Sequence, residues 1–178
     1  MSKEHALLRD VIVRHHPYFV GKRTRIKDAL ANPEMFNITG MIEKCMAVAS
    51  EGQYTLVDKA GSISDFSDKS DSKTVTVSAT TRARRGVVDG DVRGIKTKIG
   101  SIRIVIYNSV VDRTDYMFIP ADHVHNLAKS CFGKKSYDTR LRLTYNVQRD
   151  SYNMFDPFRV PSFKALAKQK CNMLSPLT

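Results

Sequence analysis

ISDFSDKSDSKTVTVS, residues 63–78, divides into two halves with different patterns. The first holds Asp65, Asp68 and Asp71, set apart by serines, Phe66 and Lys69. The second alternates, with Lys73, Val75 and Val77 on one side and Thr74, Thr76 and Ser78 on the other. A period of two built from β-branched residues predicts a strand, and residues two apart on a strand share a face. Asp71 and Lys73 therefore project together from the start of that strand, with Asp65 one loop away. Two carboxylates and an ammonium are costly to hold at one point, and a divalent cation between the carboxylates would offset that cost. Serines and aspartates are also ordinary turn residues, so the stretch alone leaves a metal site and a solvated turn both open.

The charge map favours the first. The 178 residues carry 29 Lys and Arg against 18 Asp and Glu, a formal charge of +11. That excess predicts a polyanionic partner, nucleic acid ahead of an anionic membrane. Against this basic background, residues 58–71 hold Asp58, Asp65, Asp68 and Asp71 with only Lys59 and Lys69, whereas residues 157–178 hold four basic residues and no acid. A basic surface holds phosphates and releases counterions, while an acidic pocket repels phosphate until a cation occupies it.

Hydrophobic content of 42% and charged content of 26% are ordinary for a folded domain. The length predicts one domain with a sizeable core: a helical N-terminal part over 1–36, a core over 37–147 and a basic C-terminal helix over 161–170. No apolar run reaches the roughly 20 residues of a membrane span. Charges interrupt MSKEHALLRD at the N-terminus, which predicts no signal peptide. Cys45, Cys131 and Cys171 are odd in number and far apart, which predicts reduced thiols and a cytoplasmic location.

Further elements follow from pattern. Residues 3–14 predict a helix with Ala6, Leu7, Val11 and Val13 inward, bounded by Pro17; a short helix is predicted over 25–31. Asn37 or Thr39 can cap a stronger helix in which Ile42, Cys45, Met46 and Ala49 recur at helical spacing, ending near Gly52. Glu43 lies beside that stripe. A short strand is predicted at Tyr54–Val57. Thr80–Ile99, polar and glycine-bearing, predicts a mobile loop or loose hairpin. SIRIVIY (101–107) and DYMFI (115–119) predict an antiparallel hairpin turning near Asp112. Pro120 opens a predicted helix to about Cys131; residues 138–147 predict a strand, Pro157 and Pro161 a loop, and Ser162–Gln169 a basic helix. The order implies an α/β core with a mixed sheet and helices on its faces.

Other sites fail on spacing. Asp65, Asp68 and Asp71 lie three apart, whereas a calcium loop needs ligands two apart. Gly21-Lys22-Arg23-Thr24 lacks the leading glycine of a phosphate loop. His123 and His125 sit two apart near a helix start and do not share a face.

A helix-borne glutamate, then an aspartate, then Asp-x-Lys opening a hydrophobic strand resembles the PD-(D/E)XK nuclease superfamily, and Asp65-Phe66 followed by Asp71-Ser72-Lys73-Thr74-Val75 is most similar to MutH-type nickases and related type II restriction endonucleases. Glu43, in Gly40-Met41-Ile42-Glu43, matches the helix position. Ser64 stands where the nominal motif has proline, Asp71 where glutamate is usual, and the loop between the aspartates is about one residue short, which leaves Asp58 and Asp68 as alternatives to Asp65. The resemblance covers about residues 37–78.

It implies a restriction-endonuclease-like core, a central mixed β-sheet flanked by helices, and Mg²⁺-dependent hydrolysis of phosphodiester bonds in double-stranded DNA, with Mn²⁺ as a substitute. Asp65, Asp71 and the Ser72 carbonyl would bind Mg²⁺, Lys73 would orient the attacking water, and Glu43 would hold a second ion or metal-bound water. Arg82, Arg84, Arg85, Arg93, Lys96 and Lys98 are the candidate DNA contacts. No membrane partner is expected; a homodimer is a further expectation. The competing reading is a basic DNA- or RNA-binding protein without catalysis, and a nucleotide-handling enzyme ranks below both.

Overall fold

The structure, a computed structural model, describes residues 3–22, 31, 37–57, 62, 64–78, 87–92, 100–132 and 141–171. The candidate DNA contacts Arg82, Arg84, Arg85, Arg93, Lys96 and Lys98 lie outside these residues, as do Asp58 and nearly all of the helix expected over 25–31.

The chain is a mixed α/β fold. Helices α1 (Lys3–His15) and α2 (Ile38–Ala49) precede the strands β1 (Asp71–Val77), β2 (Val87–Val92), β3 (Ile102–Asn108) and β4 (Arg113–Ile119). Then come α3 (Ala121–Phe132), β5 (Leu141–Asn146), a 3₁₀ helix (Asn153–Phe158), β6 (Arg159–Val160) and α4 (Phe163–Ala167). The central sheet has the order β1-β3-β4-β6 and is mixed: β1 runs parallel to β3, and the other pairs are antiparallel. β2 and β5 form a separate antiparallel ribbon.

β3 is buried along its whole length, as a strand covered on both faces must be. Its alternate residues feed two cores. Val105, with Phe118 of β4, packs against Leu8, Val11 and Ile12 of α1, Met41, Ile42, Cys45 and Met46 of α2, and Leu166 of α4. Ile102, Ile104 and Ile106, with Val75 and Val77, pack against Val88, Val92, Leu141, Leu143 and Tyr145 of the ribbon and Val124 of α3. The sheet thus separates a helical layer from a layer made of the ribbon and α3.

Four expectations need correction. α1 buries Leu8, Val11 and Ile12, and Ala6 is exposed, because the apolar stripe lies one residue further round the helix. Tyr54–Val57 makes only the single bridge Leu56↔Phe66; Tyr54 is instead a core residue whose hydroxyl donates to the Ala167 carbonyl at 2.8 Å. The middle of Thr80–Ile99 is β2, paired with β5 rather than with itself. Gly90 interrupts its apolar pattern for a steric reason: a Cβ there would stand 2.5 Å from the Thr76 carbonyl oxygen. The final helix is also shorter than expected, five residues capped by Ser162, whose side chain accepts from the Ala165 N–H. Among the described residues, no helix is long and apolar enough to cross a membrane.

Candidate active site

The site grows from the turn that delivers the chain into β1. The Lys69 N–H bonds the Phe66 carbonyl at 3.0 Å, and the Phe66 N–H bonds the Ser70 carbonyl at 3.1 Å, closing a compact loop. Lys69 takes a left-handed φ of 64° to complete it. The Asp71 N–H then reaches the Ser101 carbonyl at 2.9 Å, which starts the ladder with β3. This fold-back returns Asp65 to the head of the strand, where its Oδ2 accepts from the Ser72 N–H at 2.8 Å.

Asp71 and Lys73 share a face, as the alternation predicts, and Lys73 Nζ stands 2.6 Å from Asp71 Oδ2. The Asp71 side chain is nearly sealed at 5% exposure, against 23% for Lys73. The ammonium contact is within hydrogen-bonding distance, although among the described residues Asp71 Oδ2 accepts no well-directed hydrogen bond. Burial pushes the Asp71 carboxyl upward, the hydrogen bond that protonated Asp71 donates to the Asp65 carboxylate reinforces that shift, and Lys73 opposes it.

Glu43 joins this group from α2. Its carboxyl is raised to about 7, first by burial and then by the negative charges of Asp65 and Asp71, with Lys73 pulling the other way. Direct reach from α2 to the Asp71 end would follow if α2 packed on the Val75/Val77 face. The helix lies on the other side of the sheet, in the core with Val105 and Phe118. Glu43 still senses the group because β1 is an edge strand and the three residues lie at or before its first turn of ladder. Among the described residues, the ribbon meets β1 further along, through the Ser78↔Asp89 bridge and Gly90 against Thr76.

Asp68 has a different destination. Its Oδ2 lies 2.9 Å from Arg103 Nη2, and its Oδ1 accepts from the Ser70 N–H at 3.1 Å. Arg103, wholly buried in β3, also donates to the Ser70 hydroxyl and, at 2.7 Å, to the Gln169 carbonyl. Its guanidinium lies 4.1 Å from the Tyr54 ring centroid. The structure therefore commits Asp68 to an internal ion pair, leaving Asp65 as the described carboxylate beside Asp71. Arg103 went unremarked in the sequence although its signal is visible: a charge within an otherwise apolar strand must be paired.

Ser72 supplies the N–H that holds Asp65, while its own buried hydroxyl finds no partner. The donor set is suited to a hard cation. Mg²⁺ uses one or two carboxylates and keeps several waters, and here the candidate ligands are carboxylates and a backbone carbonyl, with one buried carboxylate oxygen lacking a hydrogen bond. Among the described residues, no group of three or more His, Cys, Asp or Glu side chains is gathered closely enough to hold an ion as it stands. No family model, no curated protein and no solved structure matches the chain.

Proposed function

We propose that the protein is a metal-dependent DNA endonuclease of restriction-endonuclease-like architecture, acting through Glu43, Asp65, Asp71 and Lys73. The observation that carries this reading is the Asp71–Lys73 ion pair at the head of β1 with Asp65 beside it, near enough to Glu43 of α2 for all three charges to act on its carboxyl. Such crowding raises carboxyl pKa values and is costly in a fold with no use for it. The overall charge of +11 supports a polyanionic substrate.

In this mechanism Asp71 and Asp65, with the Ser72 carbonyl, would hold Mg²⁺, which when bound would lower the pKa of a water and polarise the phosphate. The Ser72 N–H keeps Asp65 turned toward Asp71. Lys73 orients the attacking water and stabilises negative charge developing on the phosphate oxygens, a role in which a preorganised donor is worth on the order of 10²–10³ in rate. Glu43 would bind a second ion or hold metal-bound water. Arg82, Arg84, Arg85, Arg93, Lys96 and Lys98 carry the DNA backbone.

The test is cleavage of supercoiled plasmid in Mg²⁺ or Mn²⁺ by the wild type and by Lys73→Ala. Loss of cleavage with retained DNA binding supports the assignment. Wild-type protein that binds DNA and leaves it intact with either ion would instead identify a basic binding module.

A further inference from the structure

Lys73 stands where a cation would stand. Its Nζ contacts Asp71 Oδ2 at 2.6 Å, at a carboxylate oxygen that is buried and accepts no directed hydrogen bond. Both side chains leave the same strand two residues apart, and β3 fixes their backbone through the pairs Asp71↔Ile102 and Lys73↔Ile104. The ammonium is thus tethered at short range to the oxygen that a divalent ion would need. Two cations cannot share that oxygen without strong repulsion in a partly water-excluded site.

We propose that Lys73 is a built-in counter-ion that closes the site in the metal-free protein and sets the concentration of divalent ion needed to fill it. This rests on the nuclease reading above. When an ion binds, the ammonium withdraws from Asp71 Oδ2 along its flexible four-carbon stem and comes to the position from which it serves catalysis. The same side chain therefore weakens metal binding and promotes cleavage, so the two effects of replacing it have opposite signs.

The experiment is a Mn²⁺ binding isotherm, followed by electron paramagnetic resonance, on the DNA-free full chain. Lys73→Met should bind Mn²⁺ about tenfold more tightly than wild type, equivalent to about 1.4 kcal/mol, while cleaving DNA no faster. Lys73→Gln serves the same purpose should the methionine variant fail to fold. Lys69→Met removes an exposed charge two residues before Asp71 and should leave the isotherm unchanged. If wild type binds Mn²⁺, loses it in Asp71→Asn, and the Lys73 variants bind no more tightly, the counter-ion role is overturned and the nuclease reading stands. An equal gain in Lys69→Met would likewise overturn it, since general surface charge would then explain the effect. If neither wild type nor any Lys73 variant binds Mn²⁺ at millimolar concentration, both readings fall.

Discussion

Asp68 and Asp71 lie three residues apart and meet opposite electrostatic fates. Burial works to raise both. At Asp68 the Ser70 hydroxyl and the Arg103 guanidinium outweigh burial and hold the carboxyl below its ordinary range. At Asp71 the Asp65 carboxyl reinforces burial, and Lys73 does not overcome the pair. One aspartate is a structural anchor; the other is the one the proposed function assigns to a metal ion. Asp68→Asn leaves a fully buried guanidinium short of its counter-charge, and breaking such a pair costs on the order of 3 kcal/mol. Urea denaturation should show that loss, with the ion-pair cluster at Asp71 untouched. A change within about 0.5 kcal/mol, ordinary for a surface site, would mean that Arg103 is satisfied without Asp68.

Glu43 gives a residue-scale test by pH. Its folded carboxyl, at about 7, lies above the ordinary value of 4.5. Between those values the unfolded chain has released a proton that the folded chain retains, so stability falls as pH rises through that window and levels off above it. Asp71 adds in the same direction. Thermal melts of metal-free protein should therefore decline from pH 4.5 to 7 in wild type, and Glu43→Gln should flatten the decline. An unchanged slope in that variant would remove Glu43 from the cluster.

At the scale of elements, the approach of β2 to β1 depends on Gly90. Its Cα faces the Thr76 carbonyl, and a Cβ would come within 2.5 Å of a backbone oxygen that cannot rotate away. Gly90→Ala should cost about 1–3 kcal/mol, the usual range for overpacking, and a thermal shift measures it. Stability equal to wild type would show that the ribbon can move off β1 freely. The same glycine explains why β2 was illegible in the sequence. Val88 and Val92 are four apart on one face, and the residue between them carries no side chain, so the alternation is broken where the packing is tightest. β1, β3, β4 and β5 were legible because each alternates or is continuously apolar. Tyr54–Val57 has strand-like composition, but its tyrosine is claimed by the core and by the Ala167 carbonyl. Helix α2 was legible in extent and cap, with Asn37 Oδ1 accepting from the Gly40 N–H at 3.0 Å. The face of the sheet on which it packs was not, since a strand apolar on both faces gives no sign of which side receives a helix.

At the scale of the whole molecule, the candidate site lies at the start of β1, which among the described residues is an edge strand of the central sheet. The local grouping of Asp65, Asp71 and Lys73 was readable because it depends only on a loop and the period of a strand. Glu43 required a helix lying on the opposite face, a long-range relation that spacing cannot encode. The basic excess of +11 belongs to the whole chain, and removing one ammonium changes it little. Replacing Lys73 should therefore separate catalysis from binding. The direct measurement is the rate of supercoiled plasmid loss in Mg²⁺ for wild type, Lys73→Ala and Asp71→Asn, with DNA affinity measured in parallel. Metal-dependent cleavage by wild type, reduced on the order of 10²–10³ in Lys73→Ala at nearly unchanged affinity, with Asp71→Asn partly restored by excess Mn²⁺, is the predicted result. Cleavage by Lys73→Ala at the wild-type rate, or tight binding by wild type with no cleavage in either ion, would contradict it.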